Sequence, residues 1–160
     1  MFNHLSIKIK YSIPLAIALV ALITVMLANF WLTSKLESSA SVFPEKFMPA
    51  ISVVLNADRD LYQARVAEIR FVTADSASQK HLDDFNDNAQ QAKDRFNEYR
   101  SLMKDYPDVL AQLKGFNRLY DDWLMQARKS IRAKQQGNAE EAASIMAGAS
   151  EQTFSTLRMK

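Results

Sequence analysis

A run of 24 residues without a charged side chain, from Tyr11 to Ser34, constrains the fold of this chain more than any other feature. At about 1.5 Å per residue, a helix of this length crosses the hydrocarbon core of a bilayer. Tyr11 stands at one end and Phe30 with Trp31 at the other, where aromatic belts form at membrane interfaces. Pro14 falls in the first turn, where its missing N–H costs least. We therefore predict a transmembrane helix over residues 11–34.

The charges on either side of this run predict its orientation. Lys8 and Lys10 precede it, whereas Glu37 and Glu45 follow it among lysines. By the positive-inside rule, we expect residues 1–10 to be a cytoplasmic tail and residues 35–160 to lie on the outer side of the membrane. The alternative is a cleaved signal peptide, with small residues at 38–40 before the cut, but the apolar regions of signal peptides run only about 7–15 residues. A reporter fused after residue 40 would distinguish the two.

Composition excludes several classes of protein. There is no cysteine, so disulfides and thiolate metal sites are impossible. The formal charge is +2, but residues 1–36 contribute three lysines and no acid, which leaves 17 basic and 18 acidic residues in the remainder. That remainder has no basic stripe, so we expect no nucleic-acid partner. The length of 160 residues favours one domain, and three Gly with four Pro are too few for a turn-rich β fold.

Beyond the membrane run, apolar residues recur at alternating gaps of three and four, which is typical of helices. The first of these helices is predicted over about residues 35–75, continuing the membrane helix, with bends at Pro44 and Pro49. It carries two parallel rows in heptad spacing. The first seam is Phe47, Ala50, Val54, Ala57, Leu61, Ala64, Glu68 and Phe71. The second seam is Met48, Ile51, Leu55, Asp58, Tyr62, Arg65, Ile69 and Val72.

Three further helices follow from the same periodicity. Ser76 or Ser78 is the candidate N-cap of the second helix, whose inward positions are Leu82, Phe85, Ala89, Ala92, Phe96, Tyr99 and Met103. Asp105 is the candidate N-cap of the third, with Pro107 in its first turn. The inward positions of the third helix are Tyr106, Val109, Leu113, Phe116, Tyr120, Trp123 and Ala127.

The fourth helix is predicted to open at a capping box of Asn138 and Glu141, just after a left-handed cap at Gly137. Its inward positions are Ala142, Ile145 or Met146, Ala149, Thr153 and Leu157. Short connections force neighbouring helices to run antiparallel, so we predict an all-α, up-down four-helix bundle over residues 35–160. The first helix spans roughly 60 Å and the fourth only about 33 Å, so we expect the chain to be truncated within its fourth helix.

Two charged residues interrupt the second seam. Asp58 and Arg65 stand among apolar neighbours, and a buried charge needs a partner. One interpretation is an ion pair between helices that fixes their register. The other is a ligand pocket in which arginine holds a carboxylate by paired hydrogen bonds. The candidate ligand-binding residues are Asp58, Arg59, Tyr62, Arg65 and Arg70.

The first seam contains alanine at every seventh position, which permits close approach of another helix. That helix could belong to the chain's own bundle, or to a second copy related by a two-fold axis. The second interpretation predicts a homodimer whose interface consists of Phe47, Ala50, Val54, Ala57, Leu61 and Ala64.

No catalytic pattern is present. The sequence has no Gly-rich phosphate loop, nucleophile elbow or pair of histidines at metal-binding spacing. His4 lies in the tail, and His81 begins a helix beside Asp83 and Asp84, where an exposed histidine is the simpler interpretation than a metal ligand. We expect no enzymatic activity, no cofactor and no metal.

The tail, the apolar span and a long helix containing Asn-Ala-Asp-Arg-Asp-Leu-Tyr-Gln-Ala, residues 56–64, together resemble the N-terminal portion of bacterial methyl-accepting chemotaxis proteins. The resemblance implies a periplasmic four-helix sensor domain that dimerises through its first helix. It also implies a small-molecule ligand or a periplasmic binding protein near that interface. In this family the fourth helix leads to a second span and a cytoplasmic hairpin that controls a histidine kinase.

The arginines depart from the family pattern. Amino-acid receptors of this kind use first-helix arginines at spacings of about five and four, whereas Arg59, Arg65 and Arg70 are six and five apart. Neither aspartate nor serine is therefore inferred as the ligand. Two alternatives to a chemoreceptor stay open. One is the sensor portion of a histidine kinase or cyclase, and the other is a membrane-anchored helical scaffold without a ligand.

Overall fold

The computed structural model describes residues 7–76 and 78–159, without the side chains of residues 7–10, 38 and 39. Most of the predicted cytoplasmic tail, residues 1–10, including His4, lies outside the described residues. Within the described residues there are only helices and turns, so the all-α prediction is confirmed.

The helices follow one another with short connections. They are α1 (Ile7–Val42), a first π-helical turn (Phe43–Phe47), α2 (Met48–Thr73), α3 (Gln79–Leu102), α4 (Pro107–Gln112), α5 (Phe116–Gln135), α6 (Ala139–Ile145), a second π-helical turn (Met146–Ser150) and α7 (Glu151–Arg158). The chain divides into two compact units, Met1–Glu45 and Lys46–Lys160.

The first unit contains α1 and the apolar run 11–34. Its apolar side chains, among them Leu15, Leu22 and Leu27, are exposed. The hydroxyl of Thr24 donates a hydrogen bond to the carbonyl of Val20 at 2.9 Å, so this polar group is satisfied inside its own helix. Helical residues run from Tyr11 to Thr73, and this stretch is the one candidate for crossing a membrane in the part of the chain that the structure describes.

The second unit is a helical bundle. Helix α2 packs along α3, and α5 packs against α2, α6 and α7. Aromatic rings fill the centre, where Phe96 stacks on Phe116 at 3.5 Å between centroids and Trp123 meets Phe85, Tyr120 and Phe154. The main core consists of Leu61, Ala64, Ala67, Phe71, Phe85, Ala89, Ala92, Tyr120, Trp123, Ala127, Ile131, Phe154 and Leu157.

Two of the predicted helices need correction. The third is interrupted between α4 and α5 because Gly115 adopts a left-handed conformation, with φ of +93°, that ends one helix and begins the next. The predicted capping residue Asp105 does not cap, since Tyr106 occupies that position. Gly137 has the predicted positive φ, but Asn138 makes no side-chain capping bond.

The inward face of the fourth helix is also displaced from the predicted one. Ala149 and Thr153 were predicted to face the core, yet Ser150 and Phe154 are buried instead. The second π turn explains the difference, because a π turn takes up one residue more than an α turn and moves the inward positions from 149 and 153 to 150 and 154. Leu157 is buried as predicted.

A contact we name the α2 latch, formed by Lys46 and Phe47 with Asp105 and Tyr106, joins the start of α2 to the turn after α3. The Lys46 ammonium donates a hydrogen bond to the Asp105 carboxylate. The rings of Phe47 and Tyr106 lie 5.1 Å apart between centroids. Hydrogen bonding within the ion pair raises the pKa of Lys46 and lowers the pKa of Asp105.

Candidate functional site

The first seam is occupied by the chain's own bundle. Ala50, Ala57, Leu61 and Ala64 are buried within this single chain. Phe47 is partly buried and Val54 is 37% exposed. The seam predicted to meet a second copy therefore packs internally, which is the alternative stated above. Both the assignment of this seam to a dimer interface and dimerisation itself stay predictions.

A cluster of polar groups surrounds Arg65 inside the bundle, and we name it the Arg65 cluster: Arg65, Glu68, Ser130, Ser150 and Glu151. The guanidinium donates through Nη1 to Glu68 Oε2 at 2.6 Å and through Nη2 to Glu151 Oε2 at 2.8 Å. Glu68 also accepts hydrogen bonds from Ser130 Oγ at 2.7 Å and from Ser150 Oγ at 3.0 Å. The cluster thus joins α2 to α5 and to the last helix. The predicted ion pair between helices is present.

Glu68 is the residue of this cluster that sequence reasoning missed. Its side chain is fully buried. In the sequence, Glu68 was assigned to the first seam only because it continues the heptad spacing, and no interaction was predicted for it. A glutamate at an inward position three residues after an arginine was the available signal, because that spacing places both side chains on one helix face.

Asp60 forms a second buried ion-pair site that sequence reasoning also missed. Its carboxylate is fully buried and accepts from Arg59 at 2.8 and 3.0 Å and from Arg95 of α3 at 2.6 Å. Asp58, which was expected to be the buried acid, has a side chain 49% exposed. The two aspartates are two residues apart, which places them about 200° apart around α2, and the side that faces α3 is the one that carries Asp60.

Asp58 instead forms an ion pair with the last helix. The Arg158 guanidinium donates to its two carboxylate oxygens at 3.0 and 3.3 Å. Arg158 also donates to the Tyr62 hydroxyl and lies 4.0 Å from the centroid of that ring. Hydrogen bonding to Asp58 raises the pKa of Arg158 further above its ordinary value. Asp58 and Arg65 therefore each connect α2 to α7.

Two grooves run along the exposed face of α2. The α2–α3 groove has a volume of about 490 Å³ and is lined by Arg59, Tyr62, Gln63, Val66, Ala67, Arg70, Asp84 and Asn88. The α2–α7 groove has a volume of about 470 Å³ and is lined by Tyr62, Arg65, Val66, Ile69, Glu151, Phe154, Ser155, Arg158 and Met159. Tyr62 and Val66 form the ridge between them.

The structure distributes the predicted ligand residues over these grooves. Arg59 and Arg70 line the α2–α3 groove, Arg65 lines the α2–α7 groove, and Tyr62 lines both. Asp58 lines neither, but its partner Arg158 lines the second. In the described residues, the guanidinium of Arg70 has no ion-pair partner. The pKa of Asp84 is lowered chiefly by its hydrogen bond to Lys80, and the charge of Arg70 adds a small contribution in the same direction. Each groove thus combines arginine with polar and apolar groups, which suits binding of a small anion.

The described chain thus contains a candidate membrane span followed by a helical bundle, whose first and last helices are joined by ion pairs beside open grooves. Residues 71–160 match the family model of the CHASE3 domain, and the chain belongs to this family. CHASE3 domains are sensory domains found in chemotaxis, histidine kinase and cyclase receptors. No curated protein and no solved structure matched the chain.

The matched segment contains some of the polar residues described above and not others. Ser130, Ser150, Glu151 and Arg158 lie within it, whereas the α2 residues that they contact precede it. The family match therefore does not cover the α2 residues that line both grooves, and these residues are known only from this structure.

Proposed function

We propose that this chain is the sensory portion of a transmembrane chemoreceptor in the bacterial inner membrane, with its N-terminus in the cytoplasm and its bundle in the periplasm. It is not itself an enzyme. It detects a signal outside the cell and relays it by helix displacement to a cytoplasmic region that controls a kinase. Membership in a sensory family and the candidate span support this proposal.

The observation that carries the proposal is the position of the ion pairs between α2 and α7. Arg65 with Glu151, and Asp58 with Arg158, hold the first and last helices of the bundle together at the edge of the α2–α7 groove. A ligand in this groove contacts both helices. If it binds one arrangement of α2 and α7 more tightly than another, it shifts their populations by its difference in affinity.

The ligand is a small molecule bound directly, or a periplasmic binding protein that docks on the bundle. A thermal-shift screen of the full chain in lipid nanodiscs against amino acids and organic acids tests direct binding. We expect at least one class to raise the unfolding temperature. Arg70 is exposed and lines only the α2–α3 groove of the two, so Arg70→Ala distinguishes binding in the α2–α3 groove from binding in the α2–α7 groove without disturbing the core. A screen with no stabilising compound would favour the binding protein or the scaffold.

Alkaline phosphatase fused after residue 160 tests the orientation, because this enzyme is active only outside the cytoplasm. We expect activity that stays with the membrane fraction. A soluble, shortened and active product would support signal-peptide cleavage near residue 40 instead. An inactive fusion retained in the membrane would contradict the proposed orientation.

The cytoplasmic region could instead be a histidine kinase or a cyclase, as a second candidate. CHASE3 domains are found in histidine kinase and cyclase receptors as well as in chemotaxis receptors, so family membership supports both candidates equally. The coding sequence after the Lys160 codon discriminates. A second apolar span and a long Ala/Glu/Gln-rich heptad hairpin would support the chemoreceptor, and a catalytic module would support the alternative. A stop codon there would favour a scaffold in which Asp58 and Arg65 only fix register.

We also propose a homodimer, formed by the second seam rather than the first. The first half of the second seam is exposed, with Met48, Ile51 and Leu55 53%, 47% and 64% accessible. Their spacing of three and four places them on one stripe of α2, which we name the α2 stripe. A two-fold axis beside α2 would bury this stripe against its own copy. Contiguous exposed apolar side chains of this kind are typical of interaction sites.

A further inference from the structure

Arg65 holds both ends of the second π turn. Its Nη2 donates to the carbonyl of Met146, the first residue of the turn, at 2.9 Å. Its Nη1 donates to Oγ of Ser150, the last residue, at 3.2 Å. Glu151, the next residue, accepts from Nη2 at 2.8 Å. One side chain of α2 therefore fixes the segment in which the last helix departs from α geometry.

The hydrogen bonding of Arg65 is incomplete. Its Nε is buried and has no hydrogen-bond partner among the residues that the structure describes, although the side chain is only 6% exposed and its other nitrogens are engaged. Nε and the adjacent Nη2 form one edge of the guanidinium, the edge that binds a carboxylate through two parallel bonds. Glu151 binds Nη2 with a single oxygen, and its other oxygen accepts from Ser155 Oγ at 3.0 Å.

The charges of the cluster make Glu151 the replaceable partner. Glu68 is fully buried and by itself balances the positive charge of Arg65. Glu151 adds a second negative charge, and its side chain is 50% exposed, so it can turn into solvent at little cost. A carboxylate that took its place would make two bonds to Arg65 where Glu151 makes one.

The lining of the α2–α7 groove defines what such a carboxylate is attached to. Val66, Ile69, Phe154 and Met159 supply apolar and aromatic surface, and Tyr62 closes one side. Arg158 also lines the groove, with its charge balanced by Asp58. The groove thus fits a small organic acid with an apolar body rather than a sugar or an amine.

We propose that the α2–α7 groove binds a small organic carboxylate that displaces Glu151 from Arg65 and frees α7 to move against α2. This inference deepens the proposed sensory function and rests on it. Displacement removes one of the two ion pairs between α2 and α7 and leaves Asp58 with Arg158. The π turn gives α7 room to move, because conversion to α geometry would rotate it by about 100° and shift it by about 1.5 Å.

Isothermal titration of the full chain in lipid nanodiscs tests the binding step. The probes are benzoate and phenylacetate, and the matched controls are benzamide and phenylacetamide, which have the same bodies without the charge. We expect the acids to bind on the order of tenfold more tightly than the amides, since bonds to charged partners are the stronger ones. Equal binding of acids and amides, or no binding of either acid, would overturn the proposal.

Glu151→Gln tests the displacement without touching the core. The proposal predicts that this variant binds phenylacetate on the order of tenfold more tightly, because the competing carboxylate is gone. A merely structural role for Glu151 predicts weaker or unchanged binding, and either result would overturn the proposal. Glu141→Gln, at an exposed position on α6, is the matched control and should bind as the original chain does. Arg65→Lys keeps the charge but loses the paired geometry, so we expect it to lose binding while Trp123 fluorescence reports an intact core.

The movement is measured with spin labels, which the absence of native cysteine makes simple. Lys129→Cys on α5 and Gln152→Cys on α7 place labels at exposed positions. We expect phenylacetate, but not phenylacetamide, to shift the distance distribution between them, and an unchanged distribution with acid bound would overturn the coupling. A ligand whose binding is lost in Arg70→Ala and unaffected in Glu151→Gln would overturn this site while leaving the sensory function intact.

Discussion

Glu68 illustrates how one buried carboxylate sets the energetics of its surroundings. It is the fully buried partner of Arg65, and two serine hydroxyls complete its hydrogen bonds. Replacing it leaves a guanidinium nearly out of contact with water and without its nearest counter-charge. Breaking a buried pair in this way costs about 3–5 kcal/mol.

We therefore expect Glu68→Ala to lower the free energy of unfolding by about 3–5 kcal/mol. Urea unfolding of the full chain in detergent, followed by fluorescence of the buried Trp123, measures this. Glu98→Ala, at an exposed position on α3, is the control and should change stability by less than about 0.5 kcal/mol. Removing both charges with Arg65→Met and Glu68→Met should restore part of the loss. Equal effects of Glu68→Ala and Glu98→Ala would contradict the assigned role.

Tyr120 gives the bundle a predicted sensitivity to alkaline pH. Burial raises its pKa from 10.0 to about 12, and its hydroxyl donates to the carbonyl of Ala89 at 2.7 Å. Because the folded pKa exceeds the unfolded one, the contribution to stability is complete below pH 10 and is lost as pH rises through about 12. We expect a loss of up to about 2 kcal/mol over this range.

Unfolding experiments at increasing pH test this expectation, with Tyr120→Phe as the control. The variant should be about 1 kcal/mol less stable near neutral pH, since the bond to Ala89 is gone. Its stability should then fall less steeply at high pH. If both proteins lose stability along the same curve, another group is responsible.

At the scale of single residues, the sequence predicted that ion pairs form between helices, but it did not predict which residues form them. Arg65 was correctly expected to find a partner on another helix, because a charge in an apolar row requires one. The sequence singled out Asp58, whose side chain is half exposed, and did not consider Asp60, which belongs to neither seam and is fully buried. The two residues are about 200° apart around α2, and the direction from which α3 approaches decides which of them is enclosed.

At the scale of helices, the three-and-four spacing predicted the buried positions of α3 well, namely Phe85, Ala89, Ala92 and Phe96. Ser78, one of the two candidates, occupies the cap position of α3 but makes no side-chain capping bond. It failed where the backbone leaves α geometry. The left-handed Gly115 and the second π turn change the register without changing the apolar pattern. A large apolar residue, Phe154, left off the predicted inward row was the available sign of the shift.

We expect the second π turn to tolerate the deletion of one residue, Gly148. A deletion within an ordinary α-helix is usually harmful because it rotates the residues on one side of it out of the core. Without Gly148, residues 139–158 can form a continuous α-helix in which Ser150 and Phe154 follow Ala142 by roughly two and three turns. All three then still face the core. We expect this deletion to change the free energy of unfolding by less than about 2 kcal/mol, since one bond to Arg65 is lost and one helical glycine is removed.

Deletion of Lys129 in α5 is the contrasting case. It rotates either Trp123 and Ala127 or Ser130 and Ile131 out of the core, because α5 has no π turn to absorb the change. We expect a loss of more than about 3 kcal/mol from buried groups becoming misplaced. Far-UV circular dichroism and Trp123 fluorescence distinguish the two deletions. A Gly148 deletion as damaging as that of Lys129 would contradict this account of the turn.

At the scale of the whole molecule, the structure changes which variant tests the dimer. Ala57 is 5% exposed, so Ala57→Glu buries a charge within one chain and should unfold the bundle. Leu55→Glu, on the exposed α2 stripe, should leave helicity unchanged while raising the dimer dissociation constant at least about tenfold.

Sedimentation velocity of the full chain in detergent measures the association. Gln152→Glu adds the same charge at an exposed position on α7 and should leave the dimer intact. Unchanged sedimentation of Leu55→Glu would exclude the α2 stripe as the interface. Loss of the dimer in both variants would show that charge alone, and not position, is responsible.

The α2 latch has a consequence for the response of the bundle to ionic strength. The Lys46 and Asp105 side chains are 29% and 58% exposed, so dissolved ions screen their attraction, whereas the buried pair of Arg65 and Glu68 is shielded from them. Concentrated salt should accordingly loosen the start of α2 and the turn after α3 while the interior polar contacts persist. The two ends of α2 therefore differ in how strongly the surrounding electrolyte acts on them.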